Sequence, residues 1–184
     1  YEAFAKALVL EEVNLPSTLR ELGDYVFNST RIRTNPLVIP EGVETIGVGA
    51  FAYCDQLAGQ VVLPSTMKEI LFGAFCQAPI TSINFPEGLE KIEGNAFQRS
   101  HLKEVSIPNS CLNFGNGNMG WNFADNYYLE KVRLPEGMTE IPAGFLSSAS
   151  ELREVNIPHT VKHIGLAAFA HCVSLKSLEL PLGV

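Results

Sequence analysis

The stretch LREVNIPHTVKHIGLAAFAHC, residues 152–172, decides the fold because variants of it recur along almost the whole chain. Its Pro158 is one of eight prolines at near-constant spacing: Pro16, Pro40, Pro64, Pro86, Pro108, Pro135, Pro158 and Pro181. The steps between them are 24, 24, 22, 22, 27, 23 and 23 residues. A fixed period in this range is the signature of a stacked repeat protein. The sequence therefore predicts a solenoid.

Each of these prolines closes a short amphipathic segment. The residues one and three positions before the proline are apolar in all eight copies, as in Val155 and Ile157, and the residue between them is mostly polar, as in Asn156. This alternation predicts a strand with one buried face. The proline ends the strand because it donates no ladder hydrogen bond and holds the preceding residue in extended geometry.

Apolar residues return three and six positions after the proline, as in Val161 and Ile164, which predicts a tight turn and a second short extended segment. A phenylalanine follows in seven copies, usually after an alanine; five of these phenylalanines lie eleven residues after their proline, and Phe145 lies ten after Pro135. We expect one helical turn here that places the ring between layers. The column comprises Phe27, Phe51, Phe75, Phe97, Phe123, Phe145 and Phe169.

The unit L-x-x-V-x-I-P-x-x-V-x-x-I-G-x-x-A-F-x-x-C resembles the BspA-like (Treponema-type) leucine-rich repeat, and the resemblance covers about residues 8–181. It implies an α/β repeat solenoid, a leucine-rich-repeat superhelix of about 23-residue rungs. Its rungs would be mainly short parallel strands with short helical or 3-10 turns. The chain departs from the commoner leucine-rich repeat at the end of the strand. In the commoner repeat the strand continues to an asparagine or cysteine ladder, whereas here a proline ends it.

The length of 184 residues suits one domain, and we expect residues 1–184 to form a single solenoid of seven to eight rungs. The chain opens on Tyr1-Glu2-Ala3-Phe4, which is typical of an incomplete repeat, and it ends just past Pro181. Arrays of this kind need terminal caps. We therefore expect the chain to be a fragment of a longer protein.

Composition excludes several classes of function. The net charge of −7 disfavours nucleic acid, which needs a basic stripe. No apolar run approaches the roughly 20 residues of a membrane span. Glu41, Glu87 and Glu136 share one column on open turns, which is typical of a solvated edge rather than a catalytic acid pair. The sequence shows no glycine-rich phosphate-binding loop and no Ser-His-Asp order. We therefore expect no enzyme activity.

The histidines and cysteines do not predict a metal site or a cofactor. His159, His163, His171 and Cys172 are close in sequence, but the repeat places His163 in an outward column and Cys172 in an inward one. The four cysteines lie in or next to apolar columns, most of them two or more repeats apart. We expect buried free thiols that pack as small hydrophobic side chains.

One repeat breaks the pattern. Phe123 lies fifteen residues after Pro108, and the four extra residues fall within an irregular loop at residues 116–121. This loop carries the only tryptophan, Trp121, with Tyr127 and Tyr128 just beyond it. Solenoid insertions map to surface loops, often on the binding face, and aromatic side chains are common interface anchors. The alternative is that Trp121 folds back to cover the core beside a loosened rung.

The outward face of the proline-terminated strands is a second candidate surface. Val38 and Val62 fall on adjacent rungs and form a small apolar patch, while Lys131 and Arg133 form a basic step between acidic neighbours. A wide, rigid face of mixed charge suits protein partners. The same face would carry these residues if it bound nothing.

Three hypotheses for function follow. The first is a non-enzymatic protein-binding module, and the resemblance implies an extracellular or cell-surface solenoid that adheres to other cells or to host proteins such as those of the extracellular matrix. The second is a structural spacer that holds another domain away from the cell surface. An enzyme is the third and weakest hypothesis, since the repeat provides no cleft.

Overall fold

The computed structural model describes residues 2–115 and 120–184, which form a parallel β-solenoid with two short strands and one run of turns in most repeats. The strands that end at the prolines form the first series: β2 (Leu37–Val38), β4 (Gly59–Val62), β6 (Ile80–Asn84), β8 (Glu104–Ser106), β9 (Lys131–Arg133) and β11 (Glu154–Asn156). The strands that follow the prolines form the second series: β1 (Glu21–Leu22), β3 (Thr45–Ile46), β5 (Glu69–Ile70), β7 (Lys91–Ile92), β10 (Glu140–Ile141) and β12 (His163–Ile164).

All strand pairing is parallel and places equivalent residues of successive repeats side by side. Val105, Val132 and Val155 are direct partners in the first series, and Ile46, Ile70 and Ile92 are partners in the second. Most of these apolar side chains are fully buried, so the predicted strand and its buried columns are confirmed. We call the outward side of the first series the strand face.

Over residues 2–115 and 120–184 each series is interrupted once, and the two interruptions fall at different repeats. The first series divides into the sheets β2-β4-β6 and β8-β9-β11, and the second into β1-β3-β5-β7 and β10-β12. Asn113 extends the second series by an isolated bridge to Lys91. The gap in the first series therefore precedes the repeat of Pro108, whereas the gap in the second series follows it.

The phenylalanine segment consists of consecutive turns. The expected short helical or 3-10 turn is not confirmed, since no helix occurs in residues 2–115 and 120–184. The reason is that in most repeats the residues two before and two after the ring have left-handed backbone, as at Gly49 (φ 55°) and Tyr53 (φ 60°) around Phe51. From Phe27 to Phe123 each ring residue instead donates its backbone N–H to the next repeat, as Phe51 does to the carbonyl of Ala74 at 2.8 Å. We call the outward side of these segments the turn face.

Six phenylalanine rings stack in one continuous ladder, of which five lie in the core and the first, Phe4, is half exposed. From Phe4 through Phe27, Phe51, Phe75 and Phe97 to Phe123, successive centroids are 5.2 to 5.5 Å apart and nearly parallel. The ladder then turns, because Phe145 meets Phe123 edge-on at 72°. Such offset and edge arrangements both favour aromatic pairs.

The assignment of Phe145 to the aromatic column is wrong by one residue. Leu146, eleven residues after Pro135, donates to the carbonyl of Ala168 as the column residues do, and lies between the left-handed Gly144 and Ser148. Phe145 occupies the alanine column. There it packs edge-on against Phe114, the residue at the isoleucine position of the preceding repeat. Two large rings thus fill the space beside the irregular repeat.

The structure shows about six turns rather than seven to eight rungs, because among the described residues the outermost copies form no strand before Pro16 or before Pro181. Around Pro16, for example, Val13 donates its N–H to the Thr34 hydroxyl at 3.0 Å instead of to a neighbouring strand. Around Pro181 the chain is likewise without a strand.

The irregular repeat replaces small core residues with asparagines. Asn122 stands in the alanine column and donates its amide to the carbonyls of Ile92 and Glu93, both at 2.9 Å. Asn126 bonds to the Phe97 carbonyl at 2.7 Å and accepts from the Ser100 hydroxyl. Both asparagines are fully buried, so their hydrogen bonds hold the repeat in register. Residues 116–119 of the predicted loop lie outside the described part of the chain.

Candidate protein-binding surfaces

The strand face carries the predicted apolar patch. Val38 and Val62 are direct partners in the β2-β4 pair, which confirms that they lie on adjacent rungs. Val38 is 52% exposed, and Val62 is half-buried. The patch is small, since polar residues occupy most other outward positions of this face. It offers a partner one apolar contact point at the N-terminal end of the strand face.

The predicted basic step lies in β9, the central strand of its sheet. Lys131 stands between Glu104 and Glu154 in register, and its ammonium lies 2.7 Å from a Glu154 carboxylate oxygen. This hydrogen bond raises the pKa of Lys131. Arg133 is different, because its neighbours in register are Ser106 and Asn156 rather than carboxylates. It makes no ion pair with any residue that the structure describes.

Both basic residues line a cavity of about 300 Å³ at the gap between β6 and β8. Phe85 and Pro108 supply apolar wall, and Glu87 and Glu104 add two carboxylates. The gap in strand pairing thus gives the strand face a recess at its centre. An exposed guanidinium beside a recess can pair with a carboxylate or a carbonyl of a partner in bidentate geometry.

Trp121 lies on the turn face, on the side of the following repeat. Its ring covers Gly144, where an added Cβ would come within 2.6 Å of the indole. The side chain remains 39% exposed. Trp121 therefore combines the two open interpretations: it packs back on its own solenoid and still presents one side of the indole.

Tyr127 and Tyr128 lie in the loop that leads into β9, and both are about half exposed. Tyr128 packs edge-on against His101 of the preceding repeat, with ring centroids 4.9 Å apart. The carbonyl of Tyr127 accepts from Ser150 and Glu151 of the following repeat. No described contact joins these tyrosines to Trp121, so the predicted aromatic group divides into a pair beside the strand face and a tryptophan on the turn face.

The residues considered for a metal site are dispersed. His159 faces Glu136 at 3.8 Å on an exposed turn, His163 is exposed in β12, and the Cys172 thiol donates inward to the Leu146 carbonyl at 3.2 Å. Among residues 2–115 and 120–184 no group of three metal-ligating side chains converges.

The cysteines are free thiols in the described structure, and burial raises the pKa of each. The effect is largest at Cys111, whose pKa is raised to about 12. The Cys54 thiol shares a buried hydrogen bond with Thr30 and donates to the Phe27 carbonyl. Cys54 and Cys111 are buried core side chains, as predicted. The same prediction is wrong for Cys76 and Cys172, which are only half-buried.

A groove on the turn face was missed in the sequence. It encloses about 360 Å³ across the turns around Phe51 and Phe75. The signal in the sequence is a run of small residues at outward positions of two successive repeats, with aromatic residues around them. The small residues are Gly49, Ala52, Gly73 and Cys76, and the aromatic residues are Tyr25, Tyr53 and Phe72. We call this feature the turn-face groove.

Six copies of the repeat model for the BspA type leucine-rich repeat region match the chain, over residues 1–70, 28–120 and 73–184. These matches together span the whole chain, and the family predicted from the sequence is confirmed. No curated protein matches it.

Solved structures show the same fold. A leucine-rich repeat protein from Bacteroides ovatus is 29% identical, with a TM-score of 0.81 over 89% of this chain and 41% of that one. The T. pallidum leucine-rich repeat protein TpLRR is 25% identical, with a TM-score of 0.61 over 85% of this chain and 83% of that one. The pneumococcal vaccine antigen PcpA shares the fold at 21% identity and a TM-score of 0.64, over 90% of this chain and 53% of that one.

This chain thus spans less than half the length of the Bacteroides ovatus protein. Over residues 2–115 and 120–184, no helix is long and apolar enough to cross a bilayer.

Proposed function

This chain belongs to the BspA-type leucine-rich repeat family, and on that premise we propose that it is a non-enzymatic protein-binding module that uses its strand face. We further propose that the module is secreted or displayed at the cell surface and adheres to other cells or to host proteins. Leucine-rich repeat solenoids are rigid scaffolds with extended binding surfaces, which supports this assignment.

The observation that carries the proposal is the exposed guanidinium of Arg133 beside the central recess. Lys131 is held by Glu154, so its charge is partly satisfied within the solenoid. Arg133 lines the same recess without a carboxylate partner among the described residues. Arginine is enriched among the residues that dominate binding energy, because its planar fork makes several directed hydrogen bonds. We therefore place the centre of the interface at Arg133.

The size of the strand face supports a role for the flanking tyrosines. Six strands spaced about 4.8 Å apart and about 10 Å long give roughly 300 Å² of flat area. A stable protein complex buries about 800 Å² on each partner. The partner must therefore extend onto neighbouring loops, and Tyr127 and Tyr128 are half exposed on the loop that enters β9. Val38 and Val62 offer a second contact at the other end of the same face.

The test is a binding assay on immobilised extracellular-matrix and serum proteins. We expect Arg133→Glu to weaken binding by about tenfold or more, since it places a carboxylate where a cation is needed. Lys162→Glu is the matched control, because it lowers the net charge equally and lies exposed next to β12, away from the strand face. A second variant, Tyr127→Ala with Tyr128→Ala, is expected to weaken the same interaction.

Equal binding by the Arg133→Glu and Lys162→Glu proteins would show that the strand face is not the site. Loss of binding only on Trp121→Ala would move the interface to the turn face. If no protein is bound by the parent chain, the adhesion proposal fails and the spacer hypothesis is favoured.

A further inference from the structure

The turn-face groove has the shape of a small-molecule subsite. Small residues form its floor, and the rings of Tyr25, Tyr53 and Phe72 stand around them. Tyr25 lies over Gly49, where an added Cβ would meet the ring at 2.6 Å. Tyr53 is 50% exposed. A volume of about 360 Å³ falls within the range of ligand pockets and is large enough for one or two sugar rings.

The polar side chains of the groove are mainly amides, and Arg99 is the one charged residue of its lining. Gln77 and Asn95 make no side-chain hydrogen bond with any described residue, so their amide groups are available to a ligand. Gln98 and Arg99 both donate to one carboxylate oxygen of Asp125, at 3.2 and 3.4 Å. The Arg99–Asp125 pair cancels its own charge, which leaves the groove close to neutral.

The backbone of the groove is already paired between repeats. Gly49 donates to the Phe72 carbonyl at 2.9 Å, Tyr53 to the Cys76 carbonyl at 2.8 Å, and Gln77 to the Gln98 carbonyl at 2.8 Å. An extended peptide that adds to a sheet needs a row of unpaired backbone groups. The turn face provides no such row at these positions. Recognition in the groove must therefore come from side chains.

We propose that the turn-face groove binds a neutral glycan. The C–H faces of a sugar ring pack on the faces of Tyr53 and Phe72, whose quadrupole attracts those C–H groups. The hydroxyl groups of the sugar exchange hydrogen bonds with Gln77 and Asn95, because each amide offers both donors and acceptors. An uncharged ligand matches a groove whose only ion pair is internal among the described residues. This site is separate from the strand face and extends the proposed function to a second class of ligand.

The experiment is calorimetric titration of the purified chain with four neutral tetrasaccharides: cellotetraose, maltotetraose, mannotetraose and chitotetraose. We expect at least one to bind with a Kd of about 1 mM or below. Tyr53→Ala should weaken that binding about tenfold. Tyr127→Ala is the matched control, because Tyr127 is 51% exposed and lies outside the groove. Gln77→Ala, which removes an amide and no ring, should weaken binding as well.

A second readout follows the Cys76 thiol, which is half-buried at the groove. The bound saccharide should slow the alkylation of Cys76 by iodoacetamide, measured by peptide mass, and leave that of the half-buried Cys172 unchanged. Absence of binding by all four saccharides at about 10 mM would overturn the proposal. Equal affinities of the Tyr53→Ala and Tyr127→Ala proteins would also overturn it. Neither result bears on the strand face, so the protein-binding proposal stands or fails separately.

Discussion

At the scale of the residue, Cys111 shows how strongly the repeat constrains a single side chain. It occupies the third position after Pro108, where other repeats place Val43, Leu89 or Val161. The thiol is fully buried, and desolvation raises its pKa from 9.0 to about 12. The apolar environment of this position could be predicted from the column alone. The fold therefore keeps Cys111 protonated at a pH where the unfolded chain would ionise it.

We predict that Cys111 makes the protein less stable in alkali. Its contribution to the free energy of unfolding is complete below pH 9.0 and is lost as the pH rises toward 12, because the unfolded thiol releases its proton first. The loss amounts to about 1.4 kcal/mol per pH unit above the unfolded pKa. Urea titrations at about pH 8 and pH 10.5 should show the parent chain losing roughly 2 kcal/mol more than Cys111→Val. Parallel losses in the two proteins would contradict the burial of the thiol.

At the scale of the element, the turn around each ring could be only partly predicted. The alanine–phenylalanine pair correctly indicated a compact segment with a buried ring. The left-handed residues could not be foreseen, because Tyr53, Gln77 and Arg99 have no intrinsic preference for positive φ. The inter-repeat hydrogen bonds of the turn impose that geometry. The wrong assignment of Phe145 to the aromatic column also arose because the sequence does not show the hydrogen bonds between repeats. Leu146 occupies that column, but the phenylalanine before it matches the residue type of the other copies.

The left-handed geometry predicts a stabilising substitution. Ala167 has φ 56° at a position where other turns carry Gly49, Gly73 and Gly144. A left-handed alanine costs roughly 1–2 kcal/mol, and glycine avoids this at a smaller entropic cost. Ala167→Gly should therefore raise the free energy of unfolding by about 0.5–1 kcal/mol. The matched control is Ala170→Gly in the same turn, whose φ is not positive, and it should lower stability. Thermal unfolding of both variants checks the sign, and a loss in the Ala167→Gly protein would count against the geometry.

At the scale of the whole molecule, the proline period and the apolar columns are sufficient to predict a parallel solenoid. They are sufficient because each apolar column of the aligned repeats corresponds to one buried position in the cross-section of the solenoid. The turn-face groove could not be predicted in this way. It depends on which small residues of neighbouring repeats come side by side, and on Tyr25 lying over Gly49. The central recess depends on a gap in strand pairing that no single repeat encodes.

The aromatic ladder connects successive repeats, so truncation of a ring at its centre should strongly lower the stability of the protein. Phe97 is fully buried between Phe75 and Phe123, with centroids at 5.5 and 5.3 Å. Phe97→Ala should lower the free energy of unfolding by about 3–5 kcal/mol, as other core truncations of phenylalanine do. Leu166→Ala, at a position 86% exposed, is the control and should change stability by less than about 0.5 kcal/mol. An unchanged melting temperature for Phe97→Ala would refute the ladder.

The offset between the two gaps in strand pairing has a mechanical consequence. A cross-section through the gap between β6 and β8 still cuts the second series, where β7 is bridged to Asn113. A cross-section through the gap before β10 still cuts the paired strands β8 and β9. No plane through the described residues interrupts strand pairing on both sides at once, so we expect no hinge within that part of the chain. Under a bending load it should deform as one continuous elastic rod.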